Sequence, residues 1–252
     1  MPYPLKGRKV LITGGSRGLG AVVAEKFAAE GCSLAINYVS NADRAKQTAD
    51  KLAKDYNAKV VLIQGDVGVL ADCERTVKES ISGLGGLDII VSNAGWTKLS
   101  DFGDLNALSE AEWDKCWAVN VKGNMHLLRE AIPTFNANEE GGVFLMSSSI
   151  AGVAPTGSTM AYSVSKAAGL HLMKCLASTQ GPKIRINAVL PGLLLTEWGS
   201  RFGPERIKAT EDRAVLKRAT DLEDTADAFV AAAKNTSMTG QSIQIDCGLV
   251  IR

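Results

Sequence analysis

No apolar run in the chain approaches the roughly 18 residues that a membrane-spanning helix needs. Residues 1–7, Met-Pro-Tyr-Pro-Leu-Lys-Gly, form no apolar h-region of the kind a secretory leader carries. Charge of one sign is not in surplus either. In 252 residues, 28 Lys and Arg stand against 27 Asp and Glu, a formal net charge of +1. That balance supplies no bulk attraction to nucleic acid or to an anionic membrane. Only two histidines occur, His126 and His171; both fall in helical patterns, with no third ligand or HxxxH spacing joining them. They argue for packing or surface positions and against a metal site. The five cysteines (Cys32, Cys73, Cys116, Cys175, Cys247) are odd in number and scattered, without a CxxC pair. A disulfide framework and a zinc site are therefore not expected; reduced, mostly buried thiols in a soluble cytoplasmic protein are.

What the chain does have is a regular alternation of short apolar runs and helical patterns. Runs at residues 9–13, 33–37, 59–64, 87–92, 142–147, 184–189 and 242–246 suit strands buried on both faces. Helical spacing occupies 21–30, 42–56, about 69–82, 109 to about 132, roughly 159–179 and 221–233. Ser109-x-x-Glu112 is a capping box opening the fourth of these. The alternation predicts an α/β fold, one domain over residues 1–252 built on a doubly wound, seven-stranded parallel sheet with helices on both faces. Only residues 197–218 loosen the pattern, with Trp198, Phe202, Gly203 and Pro204 among them. A substrate lid is expected at about 193–218.

Tyr162 and Lys166 are four apart on the fifth helical pattern and so share a face. A free phenol titrates near a pKa of about 10. An ammonium beside it is expected to favour the phenolate and pull that value toward neutrality. Ser149, from the end of the preceding strand, adds a hydroxyl near the same point. Together these groups suit proton transfer to or from a carbonyl or alcohol oxygen.

A hydride carrier is suggested at the other end of the chain. Strand 9–13 runs into Gly14-Gly15-Ser16-Arg17-Gly18-Leu19-Gly20 and then a helix. This arrangement sets backbone N–H groups and a positive helix end against phosphate, or else makes only a tight strand-to-helix turn. The second strand ends in Asn37-Tyr38-Val39-Ser40-Asn41, with no acid until Asp43. In a dinucleotide fold, a carboxylate there would bond the ribose 2′-hydroxyl of NAD. Its absence, with Arg17 and Ser40 near, favours a 2′-phosphate and hence NADP(H). Asp66, in Gly65-Asp66-Val67, is placed to bond the adenine amino group, to cap the next helix, or to do both. Asn93-Ala94-Gly95 suits backbone lying against a ligand. Trp96 after it either begins a substrate pocket or fills the core. Asn120 inside a helix is a tolerated polar residue, a kink or a water site.

With these motifs in place, the sequence resembles the short-chain dehydrogenase/reductase family from about Leu5 to Gly248. Thr13-Gly14-xxx-Gly18-Leu19-Gly20 looks like its cofactor loop and Gly65-Asp66-Val67 like its adenine contact. Asn93-Ala94-Gly95, Asn120, Ser149, Tyr162 with Lys166, and Pro191-Gly192 with Leu194 and Thr196 follow in the family's order. The resemblance implies a Rossmann fold and reduction of a ketone by hydride from NADPH. It makes Tyr162 the general acid, Lys166 the residue that tunes it and holds the nicotinamide ribose, and Ser149 the group polarising the carbonyl. It gives Asn120 a water that relays protons to Lys166, and it implies a homo-oligomer, tetramer or dimer. Of three consecutive serines only Ser149 has the family's spacing to both Gly152 and Tyr162. The small differences, Ser92 and Asp246-Cys247-Gly248, touch no catalytic position. An acidic turn at 136–141 and the aromatics Trp96 and Trp198 tilt the substrate toward a free small or polyketide-like ketone. A 3-oxoacyl carrier-protein substrate, sugar or polyol dehydrogenation, and a non-catalytic NADP-binding regulator are the alternatives.

Overall fold

The computed structural model describes residues 3–251; Met1, Pro2 and Arg252, the ends of the expected domain, lie outside them. Seven strands form one sheet in the order β3-β2-β1-β4-β5-β6-β7, every neighbouring pair parallel. They are β1 Lys9–Ile12, β2 Ser33–Tyr38, β3 Val60–Gln64, β4 Ile89–Ser92, β5 Gly142–Ser147, β6 Ile184–Pro191 and β7 Ser242–Ile245. Their cores are continuous apolar runs such as Leu11-Ile12 and Ile89-Ile90-Val91, because a parallel sheet covered on both faces leaves no position wet. Register is set by pairs such as Leu11 with Ala35 on one side and Ile90 on the other.

Helices α1 Gly18–Ala29, α2 Ala42–Tyr56 and α8 Leu222–Lys234 cover one face. Val23, Phe27, Leu52 and Phe229 fill that layer against Val10, Ile12 and Ile36. On the other face, α3 Leu70–Leu84, α5 Gly123–Ala137 and α6 Met160–Thr179 bring Val77, Leu127, Phe135 and Met173 against Leu11, Ile90 and Phe144. The chain builds outward from β1 in one direction through β3, then returns to build β4 to β7 in the other. Between β1 and β4 the loops leaving the carboxyl ends therefore diverge and open a crevice.

The expected elements are present, with three differences. The long helix after Ser109 is two helices, α4 Glu110–Trp117 and α5, joined by a π-helical turn at Ala118–Lys122. The capping box itself is formed, Ser109 Oγ accepting from the Glu112 N–H. Asp66 does not cap α3: Val69 is the N-cap, and Asp66 Oδ1 accepts from the Gly68 N–H at 2.8 Å in a local turn. The loosened region contains a 3-10 turn, Gly199–Phe202, and helix α7, Pro204–Arg213. No residue of α7 is buried, so it has no apolar stripe to reveal it in the sequence. Its segment leaves and rejoins the body at one place, where Leu194 bridges Thr220 and the Thr220 N–H donates to Leu193 O.

Candidate active site

A cleft of about 450 Å³ lies over the carboxyl ends of β1, β4, β5 and β6. Its first wall is the loop after β1. Thr13 Oγ1 accepts from the N–H groups of Asn93 and Ala94, both at 3.0 Å. The Asn93 amide donates in return to Thr13 O at 3.0 Å. These bonds stitch the β1 and β4 loops together. Gly14 takes φ +60° there, and a methyl on Gly20 would lie 2.4 Å from Gly14 O and 2.6 Å from Asn93 Nδ2. Only glycine fits both positions. The first turn of α1 has no acidic residue and no side-chain cap, which leaves its N–H groups free for an anion.

Gly14, Ser16, Arg17, Gly18, Leu19 and Gly20 line the cleft, as do Tyr38, Ser40, Asn93, Ala94 and Gly95. Pro191, Gly192, Leu194 and Thr196 complete the expected set along its far side. Three expected cofactor contacts lie elsewhere. Asn37 is fully buried: its Oδ1 accepts from the Gly14 N–H, and its amide donates to Ile63 O and Gly65 O. It shapes the glycine loop from behind. Asp66 spends Oδ1 on Gly68 and Oδ2 on the Lys115 ammonium of α4, 2.5 Å away, and Val67 is packed in the core. Neither lines the cleft.

At the opposite end stand Ser149, Tyr162 and Lys166. Thr159 caps α6 by accepting from the Tyr162 N–H at 3.1 Å, which fixes where the helix starts and therefore where the tyrosine points. Ser149 begins the turn Ile150–Gly152, its Oγ accepting from the Ala151 N–H. Lys166 is 7% exposed; its Nζ donates to Ser147 O at 2.8 Å and lies 5.5 Å from the centre of the Tyr162 ring. The expected tuning of the phenol by the ammonium is not what this arrangement produces. Burial dominates both groups. It pushes the Tyr162 phenol up to about 12, only partly opposed by the Ser149 hydroxyl beside it. It pulls Lys166 down to about 8. At neutral pH the phenol keeps its proton and is a donor.

Asn120 sits in the π-helical turn and does not line the cleft. Its Oδ1 accepts from the Trp96 N–H at 2.9 Å, and its amide donates to Trp96 O and Ser165 Oγ, both at 3.0 Å. It is a kink, and its side chain clamps the β4 loop to α6. Gly95 is held by that clamp where a Cβ would stand within 4 Å of Asn120 Oδ1, Trp198 and Lys166 Nζ. Trp96 packs against the core rather than lining the cleft, so of its two readings the core one applies. Trp198 does line it, its ring 5.9 Å from that of Tyr162 and tilted by 60°.

Of the residues given no role from the sequence, Ser148, Arg44 and Glu197 are among those that also line the cleft. The Ser148 hydroxyl is buried and has no hydrogen-bond partner. Arg44 stands in the first turn of α2, its N–H capped by Asn41; three-residue spacing from a capping asparagine was the available signal. Glu197 ion-pairs with Arg17 at 3.1 Å and with Arg44. Among the described residues, no three His, Cys, Asp or Glu side chains gather into a metal site, and no helix is long and apolar enough to cross a membrane.

The comparisons with known proteins agree in kind. A family model described as enoyl-(acyl carrier protein) reductase matches residues 14–250. Glucose 1-dehydrogenase of Gluconobacter oxydans is 35% identical over 262 residues, covering 100% of this chain and 96% of that protein. The granaticin polyketide synthase putative ketoacyl reductase 2 of Streptomyces violaceoruber is 34% identical, with 94% of each covered. Among solved structures, the NADPH-dependent 3-quinuclidinone reductase of Rhodotorula rubra superposes with a TM-score of 0.91 at 28% identity, covering 98% of this chain and 93% of that one. A short-chain dehydrogenase of Burkholderia cenocepacia in complex with NADP gives 0.89 at 29% identity, over 98% and 99% of the two chains.

Proposed function

The chain belongs to the short-chain dehydrogenase/reductase family, oxidoreductases of alcohol and carbonyl groups, and from that premise we propose that it reduces a ketone to a secondary alcohol with NADPH. One observation carries the reading: a single cleft has Arg17 and Arg44 at one end and Ser149, Tyr162 and Lys166 at the other. The residues present fit a 2′-phosphorylated dinucleotide. The glycine loop is open where Cβ atoms would close it, the N-terminus of α1 is uncapped, and the Ser148 hydroxyl is buried without a partner. Two arginines, and no carboxylate on β2, face the position expected for a ribose phosphate. When bound, NADPH supplies the hydride.

The chain's own residues supply the rest. Tyr162, kept protonated by burial, delivers its proton to the carbonyl oxygen as negative charge develops there. Ser149, beside it, orients and polarises that oxygen by donating a hydrogen bond. Lys166, buried against Ser147 O with its Nζ 5.5 Å from the centre of the Tyr162 ring, would hold the nicotinamide ribose. Asn120 is a positioning residue, fixing Gly95 through Trp96. Trp198, in the lid of about 193–218, sets its ring beside that of Tyr162 as an apolar face for the substrate.

A compact free ketone, or one of polyketide type, is the substrate we favour. The Trp198 face supports it, as does the likeness to a protein named as a polyketide ketoacyl reductase. Sugar oxidation is the second reading, favoured by the likeness to a glucose 1-dehydrogenase. We further propose a homo-oligomer acting as one domain per chain. The edge strand β7 and Trp117, 42% exposed on α4, support pairing between copies. Nicotinamide absorbance followed with NADPH and NADH against cyclic ketones, 3-oxo esters, a carrier-bound 3-oxo thioester and aldoses tests these readings. Preference for NADPH and for free ketones is expected. Turnover confined to the carrier thioester, or to sugars with NAD, would replace the substrate reading.

A further inference from the structure

The two arginines at the ribose end of the cleft are already engaged, and by the lid. Glu197 lies between the hinge at Leu194–Thr220 and the aromatic Trp198, and its carboxylate bridges Arg17 from the glycine loop and Arg44 from α2. All three side chains are open to water, 63%, 39% and 52% exposed for Arg17, Arg44 and Glu197. Ion pairs of this kind contribute little and exchange readily. A phosphomonoester brings more charge and three acceptor oxygens to the same two guanidinium groups.

Taking the NADP(H) reading above as given, we propose that Glu197 is an internal competitor for Arg17 and Arg44 that the cofactor's 2′-phosphate displaces. Two consequences are linked. The carboxylate lowers the affinity for the phosphorylated dinucleotide without touching the non-phosphorylated one, so it sets how strongly the enzyme discriminates between them. Its release unfastens the lid beside Trp198, the ring packed on Tyr162, so that phosphate at one end of the cleft loosens the cover at the other. By thermodynamic reciprocity, whatever the phosphate does to the lid, the lid does to the phosphate.

The test uses adenosine 2′,5′-bisphosphate and 5′-AMP, which carry no nicotinamide, titrated calorimetrically into the wild type and into Glu197→Gln. The substitution is isosteric on an exposed side chain. We expect it to tighten the bisphosphate about three- to tenfold at low salt and 5′-AMP less than twofold. The gain should fade as salt screens the charges. Trypsin reports on the lid, which carries Arg201, Arg206 and Lys208. The bisphosphate should speed its cleavage in the wild type and change nothing in Glu197→Gln, whose lid is already released. A wild type that prefers the bisphosphate by the same margin as the variant overturns the competition. Wild-type cleavage unmoved by the bisphosphate overturns the link to the lid. Equal wild-type affinity for both nucleotides overturns the NADP(H) reading itself, and this proposal with it.

Discussion

Tyr162 and Lys166 share one environment that acts on them in opposite directions. Desolvation penalises whichever form is charged, so the phenol rises to about 12 and the ammonium falls to about 8. The lysine has a consequence for stability. Between about pH 8 and its ordinary value of 10.5, the folded chain leaves Lys166 neutral while the unfolded chain still binds the proton. Stability therefore rises with pH across that window, and the contribution is lost as pH falls through about 8. Urea unfolding of the wild type against Lys166→Met should show the wild type gaining up to about 3 kcal/mol relative to the variant over that range. Parallel profiles would contradict the burial argument. The i, i+4 spacing of the pair is visible in the sequence, and so is the helix that presents it. The direction of the Tyr162 shift is not, because it depends on how completely α6 and the lid exclude water. Arg44 and Glu197 were hidden for a related reason. The Arg17–Glu197 contact joins residues 180 apart in the chain, and no local pattern announces it.

At the scale of elements, the irregular one carries the functional placement. The π-helical turn Ala118–Lys122 widens the helix where Asn120 reaches Trp96 and Ser165. Asn120→Ala removes the acceptor for a part-buried backbone N–H and is expected to cost about 1–3 kcal/mol of stability. It should also lower kcat while leaving KM for the dinucleotide nearly unchanged, because the glycine loop is held by Asn37 and Asn93 instead. Thermal melts and steady-state kinetics check both; a kcat equal to wild type would show that Gly95 needs no such support. Asparagine within a helical pattern marks such a place only as an interruption, so the kink was legible but its bonding was not. The strands, by contrast, announce themselves, since burial on both faces forces runs such as Val10-Leu11-Ile12 that no exposed helix tolerates. Helix α7 is the converse: with no residue buried, it leaves no apolar period to find.

The whole molecule is one parallel sheet between two helical layers, with the cleft over the carboxyl ends of its strands. Phe229 of α8 is fully buried in the layer against α1, among Val23, Phe27 and Val230. Phe229→Ala should cost about 3–5 kcal/mol by leaving a cavity that close-packed neighbours cannot fill. Denaturant unfolding checks it, and a loss under 1 kcal/mol would mean that the layer is looser than described. The parallel sheet follows from alternating strands and helices, but the order of its strands, and with it the crevice between β1 and β4, depends on how the strands pair and is not written in that alternation. Most residues that line the cleft were legible from their motifs; Asn37, Asp66 and Trp96 were not, because each stands at an expected position and turns its side chain to a structural bond or to the core. Tyr162, as the proton donor, is the residue on which the whole proposed reaction turns. NADPH oxidation should therefore be measured at neutral pH with the best ketone of the panel, in the wild type and in Tyr162→Phe, beside an NADPH binding titration. The variant is expected to bind NADPH as the wild type does and to turn over about 10²- to 10⁴-fold more slowly. Wild-type turnover in Tyr162→Phe would contradict that role.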